Sequence, residues 1–300
     1  DQFMTPSCEM SDIVLPCTTI FETWGVHASY WHYWMNGNEQ AIEPLYERRD
    51  NYAFWRSLAE GTFEKEEFEK YWPWKDSEEA NDFMVEPLGV KSADTVGKPV
   101  FCPSPDKWHE LTDPQTGELY GFGTPTGKVE IYSTILEKLF SEDEAIPYYE
   151  EPFESPVSTP ELAAEYPLIL TAGSRFMPYY HSEYRQVKGC RERYPDPYFQ
   201  IHPETAANLG IGDGMWCWIE TLRGKCLQRA KLDSGIMPQV VSAQHGWWFP
   251  ELPEEDPWLG GMCTDNAVEN CCKLSGVYNM KLAQCKVYKA AEAPFNTFTK

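Results

Sequence analysis

From Tyr166 onward the chain is a run of short apolar segments punctuated by turn residues, and this pattern constrains the fold more than any other feature. Leu168–Thr171, Met215–Thr221, Lys225–Leu232 and Gln239–Ala243 have the length and composition of strands. Arg223-Gly224 sets a tight hairpin between two of them, and Gly212-Asp213-Gly214 marks another turn. Pro203–Leu209 has the signature of one short helix, with Pro in its first turn and Gly210 just beyond its end. Many short strands with few helices predict a small barrel over residues 166–290, followed by a tail, 291–300.

Residues 1–140 have a different, mixed α/β character. Ile13–Leu15, within Ser11–Pro16, has the composition of a buried strand. Such a strand needs neighbours on both sides. With a start at Asp1 rather than Met, this predicts that the chain is a piece of a longer protein. An aromatic-rich stretch, Trp24–Trp34, is broken at Gly37. Tyr52, Trp55, Leu58 and Ala59 predict a helix over Arg49–Glu60 that Gly61 ends. A second helix, Phe63–Tyr71, stops at Pro73, and Asp76 with Glu79 has capping-box spacing for a third. Lys91–Tyr120 is rich in Pro, Gly, Asp and Ser and reads as irregular, whereas Lys128–Tyr132 alternates like a half-buried strand. Residues 141–165 carry Pro147, Pro152, Pro156, Pro160 and many acids; they are expected to be an extended, solvated linker, and the domain boundary is placed there.

Charge and motifs exclude several functions. The formal net charge is -22, from 47 acidic and 25 basic residues, and such a surface repels nucleic acid. No apolar stretch approaches the roughly 20 residues of a membrane helix. The ten Cys residues include no CxxC pair, and adjacent Cys271 and Cys272 suit neither a zinc knuckle nor an ordinary disulfide, so buried free thiols are expected. Gly123–Lys128 lacks the first Gly and the final Ser/Thr of a phosphate loop. No GxSxG or HExxH occurs, which argues against an independent hydrolase. His27 and His32 flank the aromatic run and read either as ordinary half-buried residues or as part of a substrate funnel.

Against that acidic background, Thr171–Arg193 is locally basic: Arg175, Arg185, Lys188, Arg191 and Arg193 face only Glu183 and Glu192. Gly173 permits close backbone approach to a ligand, Arg175 offers a fork for phosphate, and Ser182 with backbone N–H groups can complete an anion site. A solvated loop whose arginines pair with the acidic surface fits the composition equally well.

Tyr166-Pro-Leu-Ile-Leu-Thr-Ala-Gly-Ser-Arg175, followed by Tyr180-His181-Ser182, resembles the start of the molybdopterin dinucleotide-binding domain of the dimethyl sulfoxide reductase family. Gln200–Gly214, Trp218–Lys225 and Pro238–Trp248 are similar to later segments of that domain, in order and spacing. Upstream, Ser11–Pro16 with Glu22, and Thr124–Ser133, are also similar to the family.

The resemblance implies a six-stranded double-psi β-barrel after the mixed α/β segment. It implies molybdenum or tungsten held by two molybdopterin guanine dinucleotides in the intact enzyme. Thr171, Gly173, Ser174, Arg175, Tyr180, His181 and Ser182 would contact pyrophosphate and pterin; His245 and Trp247 would lie on the strand returning to the cofactor, with Trp247 near the funnel. Asn266 and Lys281 would be further cofactor contacts; an Asn there can donate and accept at a pterin or guanine edge, and it equally reads as a turn-capping Asn. The family's Thr-Gly-Arg is here one residue longer, Thr171–Arg175, and its Asn-x-Leu-Thr is here Asn266-Ala-Val-Glu269. The metal-ligating residue and iron–sulfur cysteines of the family lie in an N-terminal half. No such cysteine cluster is present here, so no catalytic or metal-ligating residue is assigned and this chain alone is expected to be inactive. The implied partners are that N-terminal half, an iron–sulfur electron-transfer subunit and a small-molecule substrate. The alternative reading is a non-catalytic barrel module that binds a partner or supports a larger assembly.

Overall fold

Helices start where a side chain can take up an otherwise unpaired backbone N–H. Thr5 does so for α1 (Pro6–Glu9) and Asp50 for α2 (Asn51–Thr62). In α3 (Lys65–Tyr71), Glu66 and Glu67 occupy the first turn, where the helix dipole favours acids. Asp76 caps α4 (Ser77–Val85) through Glu79 N–H, but the Glu79 carboxylate accepts from Lys75 N–H, so the capping box is only half formed. Gly61 lies inside the last turn of α2 rather than beyond it; Phe63, in an extended conformation, ends the helix.

The computed structural model describes residues 1–28, 33–102, 108–174, 177–179, 182–250, 274 and 282–291. The chain divides into two units, residues 1–3 with 12–148 and residues 4–11 with 149–300. The first contains a small antiparallel sheet of β1 (Gly25–Ala28), β2 (Trp34–Asn38) and β3 (Val100–Phe101). Gly37 does not break the segment but lies within β2. A Cβ there would meet the Ser92 carbonyl at 2.8 Å, so glycine lets the turn over Ser92–Thr95 press against the strand.

Two strand expectations fail in this unit. Ile13, Val14 and Leu15 form no strand and are exposed; an apolar triplet becomes a strand only where a ladder can receive it. Lys128–Tyr132 forms no strand either, and Val129 and Ile131 are exposed. Here local hydrogen bonds win over the alternating pattern: Thr124 Oγ1 donates to the Lys128 carbonyl, and the Glu130 carboxylate accepts from the hydroxyls of Thr126 and Thr134. A short helix, α5 (Thr134–Leu139), follows with Ser133 as its cap. As expected, the described residues between 91 and 120 are mostly irregular.

The second unit is a closed barrel. Its elements after α6 (Pro160–Glu165) are β4 (Leu168–Ser174), α7 (Lys188–Arg193), β5 (Tyr198–Ile201), α8 (Pro203–Asn208), β6 (Trp216–Thr221), β7 (Gly224–Leu232), β8 (Val240–Gln244) and β9 (Leu282–Lys289). The strand order β4-β8-β5-β7-β6-β9 returns to β4, so no edge is left unpaired. Pairs β4–β8 and β5–β7 are parallel and the other four antiparallel, consistent with the double-psi barrel expected. Four strands coincide with the apolar segments identified above; β5 and β9 complete the ring. Leu170, Phe199, Ile201, Ile219, Val241 and Cys285 fill its core. Each large apolar side chain there contributes roughly 1.5–3 kcal/mol.

The expected solvated linker is partly folded onto this barrel. Glu154 is buried, pairs with Arg223 at 2.7 Å and accepts from the Gln284 N–H at 3.0 Å. Arg223 comes from the β6–β7 hairpin turn, so a matched charge accompanies the Glu154 carboxylate out of solvent.

Candidate cofactor-binding site

The two parallel neighbours β4 and β8 end side by side, and their carboxyl ends carry the candidate site. Thr171 pairs with Ser242, Ala172 with Ala243 and Ser174 with Gln244, so Gly173 is the extra residue of a bulge. A bulge re-aims a strand end, and glycine accommodates it without steric cost.

The loops that follow these strands are tied together. Trp248 Nε1 donates to the Ser182 carbonyl at 2.9 Å, and an Arg185 amine donates to the Gly246 carbonyl at 3.2 Å. Gly246 has φ +71°, the left-handed region that favours glycine. Among the candidate residues, the structure thus gathers Thr171, Gly173, Ser174, Ser182, His245 and Trp247 at one end of the barrel. Arg175, Tyr180, His181, Asn266 and Lys281 lie outside the described residues.

Trp247 is wholly buried. It packs edge-on to Tyr179 at 5.4 Å and against Phe249 at 6.0 Å, within a cluster that includes Trp216 and Leu227. Trp216 and Leu227 alternate with the inward-facing Cys217 and Cys226, so this cluster lies on the outer face of β6 and β7.

The basic segment does not behave as one group. Arg185 is fully buried, its guanidinium carbon 4.0 Å from the Tyr179 ring centre and 4.2 Å from that of Trp247. Burial draws this guanidinium down to about 9, and the neighbouring charge of Arg191 pushes the same way. Arg191 is also buried, 5.5 Å from the Trp247 ring centre. Lys188 instead is exposed and pairs with Glu192 at 3.7 Å. Two arginines are therefore buried against aromatic rings.

Sequence reasoning did not single out Gln244. Its side chain is 2% exposed, and its Oε1 accepts no hydrogen bond among the described residues. Its main-chain carbonyl is engaged by Gln228 Nε2 at 2.8 Å. An orphaned buried acceptor beside a glycine bulge fits a ligand that brings a donor. The only sequence signal is a polar residue at the end of an apolar strand.

Comparison with known proteins agrees with this geometry. Residues 168–280 match the family described as the "Molydopterin dinucleotide binding domain". The chain carries a molybdopterin dinucleotide-binding domain. It is related to the molybdenum and tungsten oxidoreductases of the dimethyl sulfoxide reductase family. It is 37% identical over 272 residues to acetylene hydratase of Syntrophotalea acetylenica, a match covering 89% of this chain and 36% of that protein. Dopamine dehydroxylase of Eggerthella lenta is 37% identical over 182 residues, covering 59% of this chain and 18% of that protein. The solved structure of acetylene hydratase from Pelobacter acetylenicus superposes with a TM-score of 0.81 at 32% identity, covering 96% of this chain and 39% of that one. The chain thus spans less than two-fifths of the length of these relatives.

Among the described residues no group of three or more His, Cys, Asp or Glu could hold a metal ion. No described helix is long and apolar enough to cross a membrane.

Proposed function

We propose that this chain is the C-terminal, cofactor-holding part of a molybdenum or tungsten oxidoreductase that uses two molybdopterin guanine dinucleotides. The carrying observation is the paired carboxyl ends of β4 and β8, with the Gly173 bulge and the buried acceptor of Gln244 between two loops tied to each other. Backbone N–H groups at such a strand end suit a pyrophosphate. Thr171, Gly173, Ser174, Arg175, Tyr180, His181 and Ser182 would contact pyrophosphate and pterin. His245, Asn266 and Lys281 are further proposed contacts, and Trp247 supports the loop that bears His245. The bound metal supplies the redox or Lewis-acid chemistry; these residues bind and orient it.

The rest of the enzyme, including its metal-ligating residue and an iron–sulfur cluster, belongs to the remaining length of the polypeptide. Two observations support this. The relatives are about three times longer. In the first unit, Met35, Ala59, Val85 and Ala145 are the buried apolar residues among those described, while Ile13, Phe21, Trp34, Trp55 and Ile131 are exposed. That much bare apolar surface calls for a covering partner. The longer polypeptide is the proposed cover; a small-molecule substrate and an iron–sulfur electron-transfer subunit are the other proposed partners. The isolated chain is expected to lack turnover.

The test is the composition of the intact protein purified without oxygen. This reading requires molybdenum or tungsten and about two guanine nucleotides per metal. Absence of both would favour a non-catalytic barrel module instead.

A further inference from the structure

We propose that Gln244 recognises the cofactor's amidine edge, its Oε1 accepting from the adjacent ring N–H and amino group of a 2-amino-4-oxopyrimidine ring. This assignment rests on the cofactor reading above.

Three observations carry it. First, Val241 and Ala243 face the barrel core, so strand alternation sends the Gln244 side chain to the other face. Second, that side chain is almost wholly buried, yet Oε1 accepts nothing among the described residues. A buried acceptor left unmatched costs stability and persists where a ligand completes it. Third, its position is fixed: Gln244 pairs with Ser174 across the parallel ladder, next to the Gly173 bulge, and Gln228 holds its carbonyl from inside the barrel.

The chemistry narrows the ligand. The unmatched atom is the carboxamide oxygen, an acceptor, so it selects a ligand donor; a phosphate would instead need the amide nitrogen. A molybdopterin guanine dinucleotide offers such donors on its pterin and on its guanine, and both rings present the same N–H and amino pair.

The experiment uses the intact protein, with Gln244→Met as a near-isosteric variant lacking the acceptor and Gln244→Glu as one that keeps it. Cofactor retention after extensive dilution is read as metal and guanine nucleotide per chain. Gln244→Met should retain about one-tenth of the wild-type cofactor or less, while Gln244→Glu should retain it at the wild-type level or better. A carboxylate at a merely structural buried position would do the reverse, so this order separates recognition from folding. Equal retention by Gln244→Met and wild type, or equal loss in both variants, would overturn the assignment. A wild-type protein without any cofactor would overturn the underlying reading as well. GDP binding to cofactor-free protein distinguishes the rings: weaker binding by Gln244→Met assigns guanine, and unchanged GDP binding with lost retention assigns the pterin.

Discussion

The guanidinium of Arg185 lies 4.2 Å from the centre of the Trp247 ring, and both side chains are fully buried. The contact joins the loop after β4 to the loop after β8, and the Arg185 bond to the Gly246 carbonyl reinforces it. A cation–aromatic stack therefore helps to support the proposed cofactor end of the barrel.

Trp247→Ala should destabilise the intact protein by roughly 3–5 kcal/mol, the usual cost of emptying a buried Trp site. It should also lower cofactor content, because the His245 loop loses its support. Denaturant unfolding and metal analysis of the same preparation check this. Normal stability and content would mean that the ring is dispensable.

Arg175→Ala should lower cofactor occupancy of the intact protein with little change in its thermal midpoint. Removing one charge-assisted phosphate contact weakens binding by about 1.5–3 kcal/mol, or roughly ten- to a hundredfold. Metal content under limiting cofactor supply is the measurement. Unchanged content would remove Arg175 from the site.

Acid should loosen the first unit through Glu22. Its carboxylate accepts from Thr19 N–H, Leu45 N–H and Arg48, and these bonds, the Thr19 amide first, hold it down at about 2. A carboxyl depressed in the folded state contributes stability above its ordinary value near 4.5; that contribution is lost as pH falls from there toward 2. Glu22→Gln should therefore be less stable than wild type at pH 7, with the difference shrinking in that window. A pH series of unfolding midpoints tests the sign.

The barrel thiols should be inert. Burial pushes the Cys217 thiol up to about 11 and raises that of Cys285 further, and Cys226 is equally enclosed. Thiolate is the reactive form. A water-soluble thiol reagent should modify these three only after unfolding, as read by peptide mass spectrometry. Rapid labelling in the native protein would contradict the packing.

Removing one half of the Glu154–Arg223 pair should cost about 3 kcal/mol, with Arg223→Ala worse than the double variant. The carboxylate is far more buried than its partner, at 4% against 23% side-chain exposure, so losing Arg223 strands a charge. Unfolding of the three variants decides it.

The sequence reveals elements set by local pattern and hides those set by distant partners. β4, β6, β7 and β8 are legible because apolar runs are bracketed by turn residues. β5 is only four residues long, and β9 becomes a strand by pairing with β4 and β6. Ile13–Leu15 has the right composition but finds no ladder, and the hydroxyls around Glu130 override the alternation at Lys128–Tyr132. At the site, Gly173 and Ser182 are visible as glycine and hydroxyl in a basic stretch. The burial of Arg185 is not, because it depends on Trp247, sixty-two positions later in the chain. Glu154 is hidden for the same reason: its partners, Arg223 and Gln284, come from the barrel.

The most direct test is diffraction from crystals of the intact protein, collected on both sides of the metal's absorption edge. The account predicts a metal-bound pterin whose pyrophosphate meets the carboxyl ends of β4 and β8, within hydrogen-bonding reach of Ser174. A cofactor bound elsewhere, with the Gly173 bulge facing only solvent or protein, would contradict it.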